Sequence, residues 1–136
     1  MLVETNYKID ENNSLLILDD DQPFLKRLSV AMEKRGFNVF PAISMADFSK
    51  IIESDCPNYA IIDLRLSDGT GLDAVESIRN VNPESKIIVL TGYGAIATAV
   101  AAVKIGAIDY LSKPADANDI LNALVFSDKS KPCLLY

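Results

Sequence analysis

Five short apolar runs alternate with segments that carry apolar residues at helical spacing, and this alternation limits the fold more than any other feature. The first run is apolar at four successive positions, which is typical of a strand buried on both faces of a parallel sheet. Strands that alternate with helices predict a parallel sheet covered by helices on both faces. The five predicted strands cover residues 15–18, 38–41, 59–62, 87–90 and 109–111.

Helix start and stop signals fall between these runs. Asp21 and Ser44 are suited to cap the first and second helices, because a short polar side chain can accept a hydrogen bond from a free N–H of the first turn. Gly36 and Gly106 stand where the first and fourth helices should end, in positions that favour a left-handed residue. We expect the fourth helix over about residues 95–105 and the fifth after Asp116.

The length and composition suit one globular domain. With 136 residues, of which 49% are hydrophobic, the chain can close a core. We expect a flexible leader over 1–13, one domain over 14–125 and a tail over 126–136. No apolar run reaches the length of a signal peptide or a membrane span, which predicts a cytoplasmic protein without a membrane partner. Cys56 and Cys133 are interpreted as reduced thiols, although one disulfide stays open.

The charged residues exclude several kinds of function. The chain has no histidine, which rules out a Ser-His-Asp triad, a histidine-based zinc enzyme and phosphorylation of its own histidine. It carries 19 acidic and 13 basic residues, for a net charge of −6. Because contacts with phosphate need lysine and arginine, this balance argues against direct binding of nucleic acid.

Polar side chains stand at the ends of four predicted strands. An acidic triplet at 19–21 follows the first strand, Asp63 the third, Thr91 the fourth and Lys113 the fifth. The carboxyl ends of parallel strands meet at one edge of an open sheet, which is where such folds bind ligands. We therefore expect these side chains to lie together.

Clustered carboxylates repel one another unless a cation joins them. A site with two or three carboxylates suits Mg²⁺, which keeps several waters and often shares a phosphoryl oxygen. A carboxylate there can attack a phosphoryl group and become an aspartyl phosphate. Lys113 and Thr91 are then candidates to contact the transferred group.

Each of these residues has an ordinary structural explanation when it is taken alone. The triplet at 19–21 could be a helix cap in a solvated loop, Lys113 a surface lysine and Tyr110 a core residue. The glycines of the segment 92–97 fit a G-x-G-x-x-A dinucleotide fingerprint, but the segment follows the fourth strand and the expected ribose acid is poorly placed. The convergence of four strand ends is what favours a phosphoryl site.

At these residues the chain resembles the receiver domain of bacterial two-component response regulators, over about residues 14–125. The resemblance implies a flavodoxin-like fold with a five-stranded parallel sheet in the order 2-1-3-4-5. It implies that Asp63 is the phosphoacceptor, and that Asp19, Asp20, Asp63 and the backbone carbonyl of Arg65 hold Mg²⁺. The matching segments are residues 15–21, 62–69, 90–92 and 110–114.

The same resemblance implies roles for the remaining strand ends. Thr91 and Lys113 contact the phosphoryl group, Thr91 and Tyr110 form the switch, and the Lys113–Pro114 peptide bond is cis. The phosphoryl donor is a phosphohistidine of a cognate sensor histidine kinase. That kinase is a separate protein, because this chain contains no histidine.

A narrower resemblance links the segments 91–100 and 113–118 to the redox-responsive global regulators of photosynthesis, the RegA/PrrA type. Those regulators continue into a DNA-binding helix-turn-helix, for which residues 1–136 leave no room. DNA binding is therefore not expected of this chain itself. Two interpretations stay open: a stand-alone receiver, or part of a longer transcription regulator.

The predicted fourth helix is apolar on more than one face, since only Thr98 and Lys104 are polar in its length. A surface helix needs one apolar stripe, so the remaining apolar residues predict a partner surface that includes Ile96, Val100 and Val103. We hypothesise either a homodimer through the face formed by the fourth helix, fifth strand and fifth helix, or the docking of an output domain.

Two other functions are weighed against signal relay. A Mg²⁺-dependent phosphohydrolase would use Asp63 as nucleophile, but such enzymes usually carry a second acid two residues later, where this chain has Arg65. A receiver that binds partners without phosphorylation is disfavoured by the complete set of acids, Thr91 and Lys113.

Overall fold

The computed structural model describes residues 13–92 and 95–126 of the protein. The predicted leader over 1–13 and tail over 126–136 lie outside the described residues except for their inner ends, residues 13 and 126. Cys133 and the loop residues 93 and 94 also lie outside them. The strands are β1 (Ser14–Leu18), β2 (Asn38–Ala42), β3 (Tyr59–Asp63), β4 (Arg65–Leu66), β5 (Gly69–Thr70), β6 (Lys86–Thr91) and β7 (Asp109–Ser112). The helices are α1 (Gln22–Glu33), α2 (Met45–Ser54), α3 (Gly71–Val81), α4 (Ile96–Lys104) and α5 (Ala117–Phe126).

Five strands form one parallel sheet in the order β2-β1-β3-β6-β7. Counted along the chain, these five strands have the predicted order 2-1-3-4-5, which confirms the flavodoxin-like architecture. Asp63 pairs with Leu90, and Thr91 pairs with Ser112. This register brings Asp63, Thr91 and the residue after β7, Lys113, to one edge of the sheet.

The central strand β1 contributes to both apolar layers of the protein. Leu16 and Leu18 pack in the cluster under α2, α3 and α4, whereas Leu15 and Ile17 pack in the cluster under α1 and α5. All four side chains are fully buried. This is the arrangement that an apolar run without alternation predicts.

The predicted caps are confirmed. The side chain of Asp21 accepts a hydrogen bond from the N–H of Phe24 at 3.2 Å, and that of Ser44 accepts one from Asp47 at 3.1 Å. Gly36 and Gly106 have positive φ angles of 101° and 132°, a conformation that glycine adopts without steric cost.

Three further features complete the framework. The Lys113–Pro114 peptide bond is cis, as the resemblance implied. Cys56 is a free thiol, and burial raises its pKa above the ordinary value. None of the helices in the described part of the chain is long and apolar enough to cross a membrane.

Candidate functional site

Three carboxylates meet at the carboxyl edge of the sheet. Asp19 and Asp20 follow β1, Asp63 is the last residue of β3, and one oxygen from each lies within 4.8 Å of the others. Asp19 and Asp63 are buried, with exposed fractions of 1% and 5%, while Asp20 is exposed. A donor set made only of carboxylate oxygens is the kind that Mg²⁺ or Ca²⁺ prefers, so these residues fit such an ion.

Lys113 joins the two buried carboxylates. Its Nζ donates to Asp19 Oδ2 at 3.0 Å and to Asp63 Oδ2 at 3.3 Å. Burial alone would lower the pKa of Lys113, but the hydrogen bonds and charges of Asp19 and Asp63 outweigh burial and raise this pKa above its ordinary value. Lys113 therefore stays charged and holds the two acids together.

Asp63 combines burial with a crowded electrostatic environment. Burial raises the pKa of its carboxyl above the ordinary value, and the charge of Asp19 raises this pKa further. The N–H of Arg65, which donates to Asp63 Oδ1 at 3.2 Å, and the ammonium of Lys113 act in the opposite direction. A second cation beside Asp63 would favour the ionised carboxylate, since opposite charge stabilises it.

Asp20 and Asp63 open onto a cleft of about 650 Å³. Residues from all four strand ends or the loops after them line this cleft, and Arg65 is an exposed part of its wall. The cleft is large enough for a phosphoryl group and its waters. Its lining includes Asp20, Asp63, Arg65, Ser67, Gly92, Thr98 and Lys113.

A short hairpin formed by β4 and β5 follows Asp63, and the sequence analysis missed it. Its turn residue Ser67 donates through both N–H and Oγ to Asp20 Oδ2, at 3.1 and 3.0 Å. The partners are 47 positions apart, so no local pattern could reveal the contact. The same holds for Phe24, whose ring centre lies 5.1 Å from Lys113 Nζ in a cation–π contact.

Gly71, the first residue of α3, is a second position that the sequence analysis missed. A Cβ atom there would lie 2.5 Å from the Asp63 carbonyl oxygen and 2.8 Å from the Leu64 Cα. The helix can therefore begin against the end of β3 only because this residue has no side chain. The two glycines after Asp63, at positions 69 and 71, were the sequence signal that could have predicted this close approach.

Thr91 and Tyr110 lie near the cluster but are turned to other partners. Thr91 is fully buried, and its hydroxyl lies 3.3 Å from the carbonyl oxygens of Gly92 and Ala95, to which it can donate. Tyr110 is half-buried and packs against the apolar layer under α4. The structure thus brings Asp19, Asp20, Asp63 and Lys113 together, and places Thr91 at the end of β6 and Tyr110 in the neighbouring strand β7.

Residues 15–125 of the chain match the family model of the response regulator receiver domain. The chain belongs to this family. The match covers most of the chain and agrees with the geometry, since the receiver fold carries the acidic cluster at the expected strand ends.

Curated relatives confirm the narrower resemblance of this receiver. It is 59% identical over 131 residues to the photosynthetic apparatus regulatory protein RegA of Rhodovulum sulfidophilum, covering 96% of this chain and 72% of that protein. It is 58% identical over 117 residues to the acid tolerance regulatory protein ActR of Rhizobium meliloti, covering 86% of this chain and 60% of that protein.

A solved response regulator structure shares the fold. It is a response regulator of Burkholderia pseudomallei with a phosphorylated aspartic acid, a calcium ion and citrate. The similarity has a TM-score of 0.77 with 38% identity, and covers 82% of this chain and 66% of that one.

Proposed function

We propose that Asp63 accepts a phosphoryl group from a phosphohistidine of a cognate sensor histidine kinase. The observation that carries this proposal is the position of Lys113, whose Nζ lies within hydrogen-bonding distance of both Asp63 and Asp19. A carboxylate paired with an ammonium at the mouth of a cleft has a cation ready for a transferred phosphoryl group. The phosphorylated aspartic acid of the Burkholderia relative supports the same assignment.

The transfer forms one bond and breaks one. A carboxylate oxygen of Asp63 attacks phosphorus, the bond from phosphorus to the histidine nitrogen breaks, and its electron pair stays on the imidazole. Lys113 then faces the phosphoryl oxygens and balances part of their charge. The chain assists its own phosphorylation and dephosphorylation and is not otherwise an enzyme.

The carboxylates of Asp19, Asp20 and Asp63, with the backbone carbonyl of Arg65, would hold Mg²⁺. When bound, this ion neutralises carboxylate repulsion and the charge that develops on the phosphoryl oxygens. The close approach of the three carboxylates supports this ligand set. The calcium ion in the Burkholderia relative is a hard cation of the same class.

Thr91 and Tyr110 form the proposed switch. The hydroxyl of Thr91 turns from the carbonyl oxygens of its own loop to the phosphoryl group, and Tyr110 moves into the space that this releases. The long contacts of the Thr91 hydroxyl, 3.3 Å each, support this step because little is lost when they break. Phosphorylation would then bias the loop and α4 between two packings.

The exposed apolar face of α4 is the proposed readout. Ile96, Val100 and Val103 are 53%, 40% and 38% exposed. Their exposure supports a partner surface, either a homodimer through α4, β7 and α5 or an output domain. With RegA and ActR as relatives, the proposed output is transcription regulation in the cytoplasm, and direct binding of nucleic acid is not proposed for residues 1–136.

Acetyl phosphate and Mg²⁺ test the chemistry. Intact mass should show one added phosphoryl group on the wild type, none on Asp63→Asn and none when the metal is chelated. Asp73→Asn, at an exposed acid in the first turn of α3, is the matched control and should label normally. The labelled sample should also sediment faster if α4 mediates self-association.

Labelling of Asp63→Asn, or labelling of the wild type in excess chelator, would contradict the proposal. The phosphohydrolase alternative gains no support from the structure, since the exposed residue two positions after Asp63 is the base Arg65. Turnover of a generic phosphate ester would be needed to revive it.

A further inference from the structure

The turn between β4 and β5 contacts the exposed acid of the site. The backbone N–H and the hydroxyl of Ser67 both donate to the same oxygen of Asp20, Oδ2, at 3.1 and 3.0 Å. Asp20 is the exposed member of the three carboxylates, whereas Asp19 and Asp63 are buried and paired with Lys113. Ser67 therefore restrains the carboxylate that the protein core does not.

Other contacts hold the turn itself in place. Both carboxylate oxygens of Asp68 accept from the N–H of Met45, each at 3.1 Å, which ties the turn to the first residue of α2. Gly69 packs so closely on the Met45 side chain that a Cβ there would lie 2.9 Å from Met45 Cγ. The donors of Ser67 are thus presented from a fixed backbone.

The geometry decides which oxygen of Asp20 is available to a cation. A carboxylate oxygen offers two lone-pair directions, and two donors from Ser67 occupy those of Oδ2. Oδ1 is left as the metal-binding oxygen, and rotation of the carboxylate is restricted. We propose that Ser67 is a positioning residue that aims Asp20 Oδ1 at the metal.

This inference rests on the proposed function, because it assigns Asp20 to the metal. Partners that orient metal-binding carboxylates typically change affinity by about 10- to 100-fold when they are removed. Ser67→Ala loses the hydroxyl donor but keeps the N–H donor. We expect it to bind Mg²⁺ about 10-fold more weakly, at the lower end of that range.

The experiment titrates each variant of the 136-residue chain with MgCl₂, without phosphate, and follows the amide NMR signals of residues 19–21 and 63–67. Ser67→Thr, which keeps both donors, should restore affinity close to that of the wild type. Ser54→Ala is the matched control, because it removes another exposed serine hydroxyl, which lies in α2 away from the cleft. Melting temperatures in chelator should stay equal across the set, which separates positioning from a general loss of structure.

Equal Mg²⁺ affinity in Ser67→Ala and the wild type would overturn the inference and leave the proposed function intact. Tighter binding would also overturn it, since Ser67 would then compete with the ion for Asp20. If the wild type itself bound no Mg²⁺, the proposed metal site and this inference would both fail.

Discussion

The loops after β3 and after β6 lie side by side at one edge of the sheet, yet they are held differently. The loop after β3 contains its own hairpin, contacts Asp20 and α2 through its turn, and ends at Thr70, whose hydroxyl accepts from the N–H of Leu72 at 3.2 Å. The loop after β6 leads to Ala95, and no side chain among the described residues caps α4.

The difference separates two tasks. The loop after β3 directly follows Asp63, and its contacts hold the backbone around the proposed acceptor. The loop after β6 directly follows Thr91, whose hydroxyl makes two long contacts of 3.3 Å with the described residues of that loop. If Asp63 is the acceptor and Thr91 the switch, as proposed, a firmly held acceptor beside a more loosely held switch would let chemistry at Asp63 reposition Thr91.

Glycine substitutions should give the largest contrast between the loops. Gly71→Ala places Cβ against backbone atoms that cannot move aside, at 2.5 and 2.8 Å, so we expect a loss of about 3 kcal/mol in unfolding free energy. Gly92→Ala is the matched control in the other loop, because its Cβ would meet nothing within 4 Å. Urea unfolding measures both, and equal effects of the two substitutions would remove the contrast.

Removal of the Lys113 side chain should cause the next largest loss of unfolding free energy. Lys113→Ala leaves two buried carboxylates without their shared ammonium, and we expect a loss of about 2 kcal/mol at neutral pH. MgCl₂ should recover part of this loss. Lys50→Ala, at an exposed lysine of α2, should change little.

The pH dependence of this loss follows from the raised pKa of Lys113. A lysine whose pKa is higher in the folded state stabilises the protein fully below its ordinary pKa. That stabilisation disappears as the pH rises through the raised value. The wild type and Lys113→Ala should therefore differ at neutral pH and converge only in strongly alkaline solution, and a difference that persists there would contradict the charge-based explanation.

Substitutions at the helix caps should change the unfolding free energy least, and with opposite signs at α3 and α4. Thr70→Ala removes the cap of α3 and should lower the unfolding free energy by about 1 kcal/mol. Ala95→Ser adds a cap to α4 and should raise it by about 0.5 kcal/mol. Thermal and urea unfolding measure both changes. A destabilised Ala95→Ser would show that the N–H groups at the start of α4 already have hydrogen-bond partners.

The sequence predicted the strands and the acidic edge because these depend on local signals, whereas the strand order 2-1-3-4-5 was implied by the resemblance to the receiver family. The run at 15–18 is apolar on both faces, and Asp63 directly follows a buried run. The β4–β5 hairpin was missed because strands of two residues are too short to show any periodicity.

The contacts that refine the site could not be predicted in the same way. Ser67 meets Asp20, and Phe24 meets Lys113, only after distant segments fold together. The direction in which the Thr91 hydroxyl points also depends on the path of a neighbouring loop. The roles of Asp63, Thr91 and Tyr110 in phosphorylation are predictions, and the labelling experiment tests the role of Asp63.

The single ammonium shared by Asp19 and Asp63 sets the charge balance of the cluster that it forms with Asp19, Asp20 and Asp63. Three carboxylates and one ammonium sum to −2, which a divalent ion would cancel. Phosphorylation would replace one carboxylate charge with a phosphoryl group of about −2, so the edge would again become negative by about one unit. The proposed switch residue Thr91, a neutral hydroxyl donor, would then be drawn in by an excess of negative charge that Lys113, already engaged twice, does not remove alone.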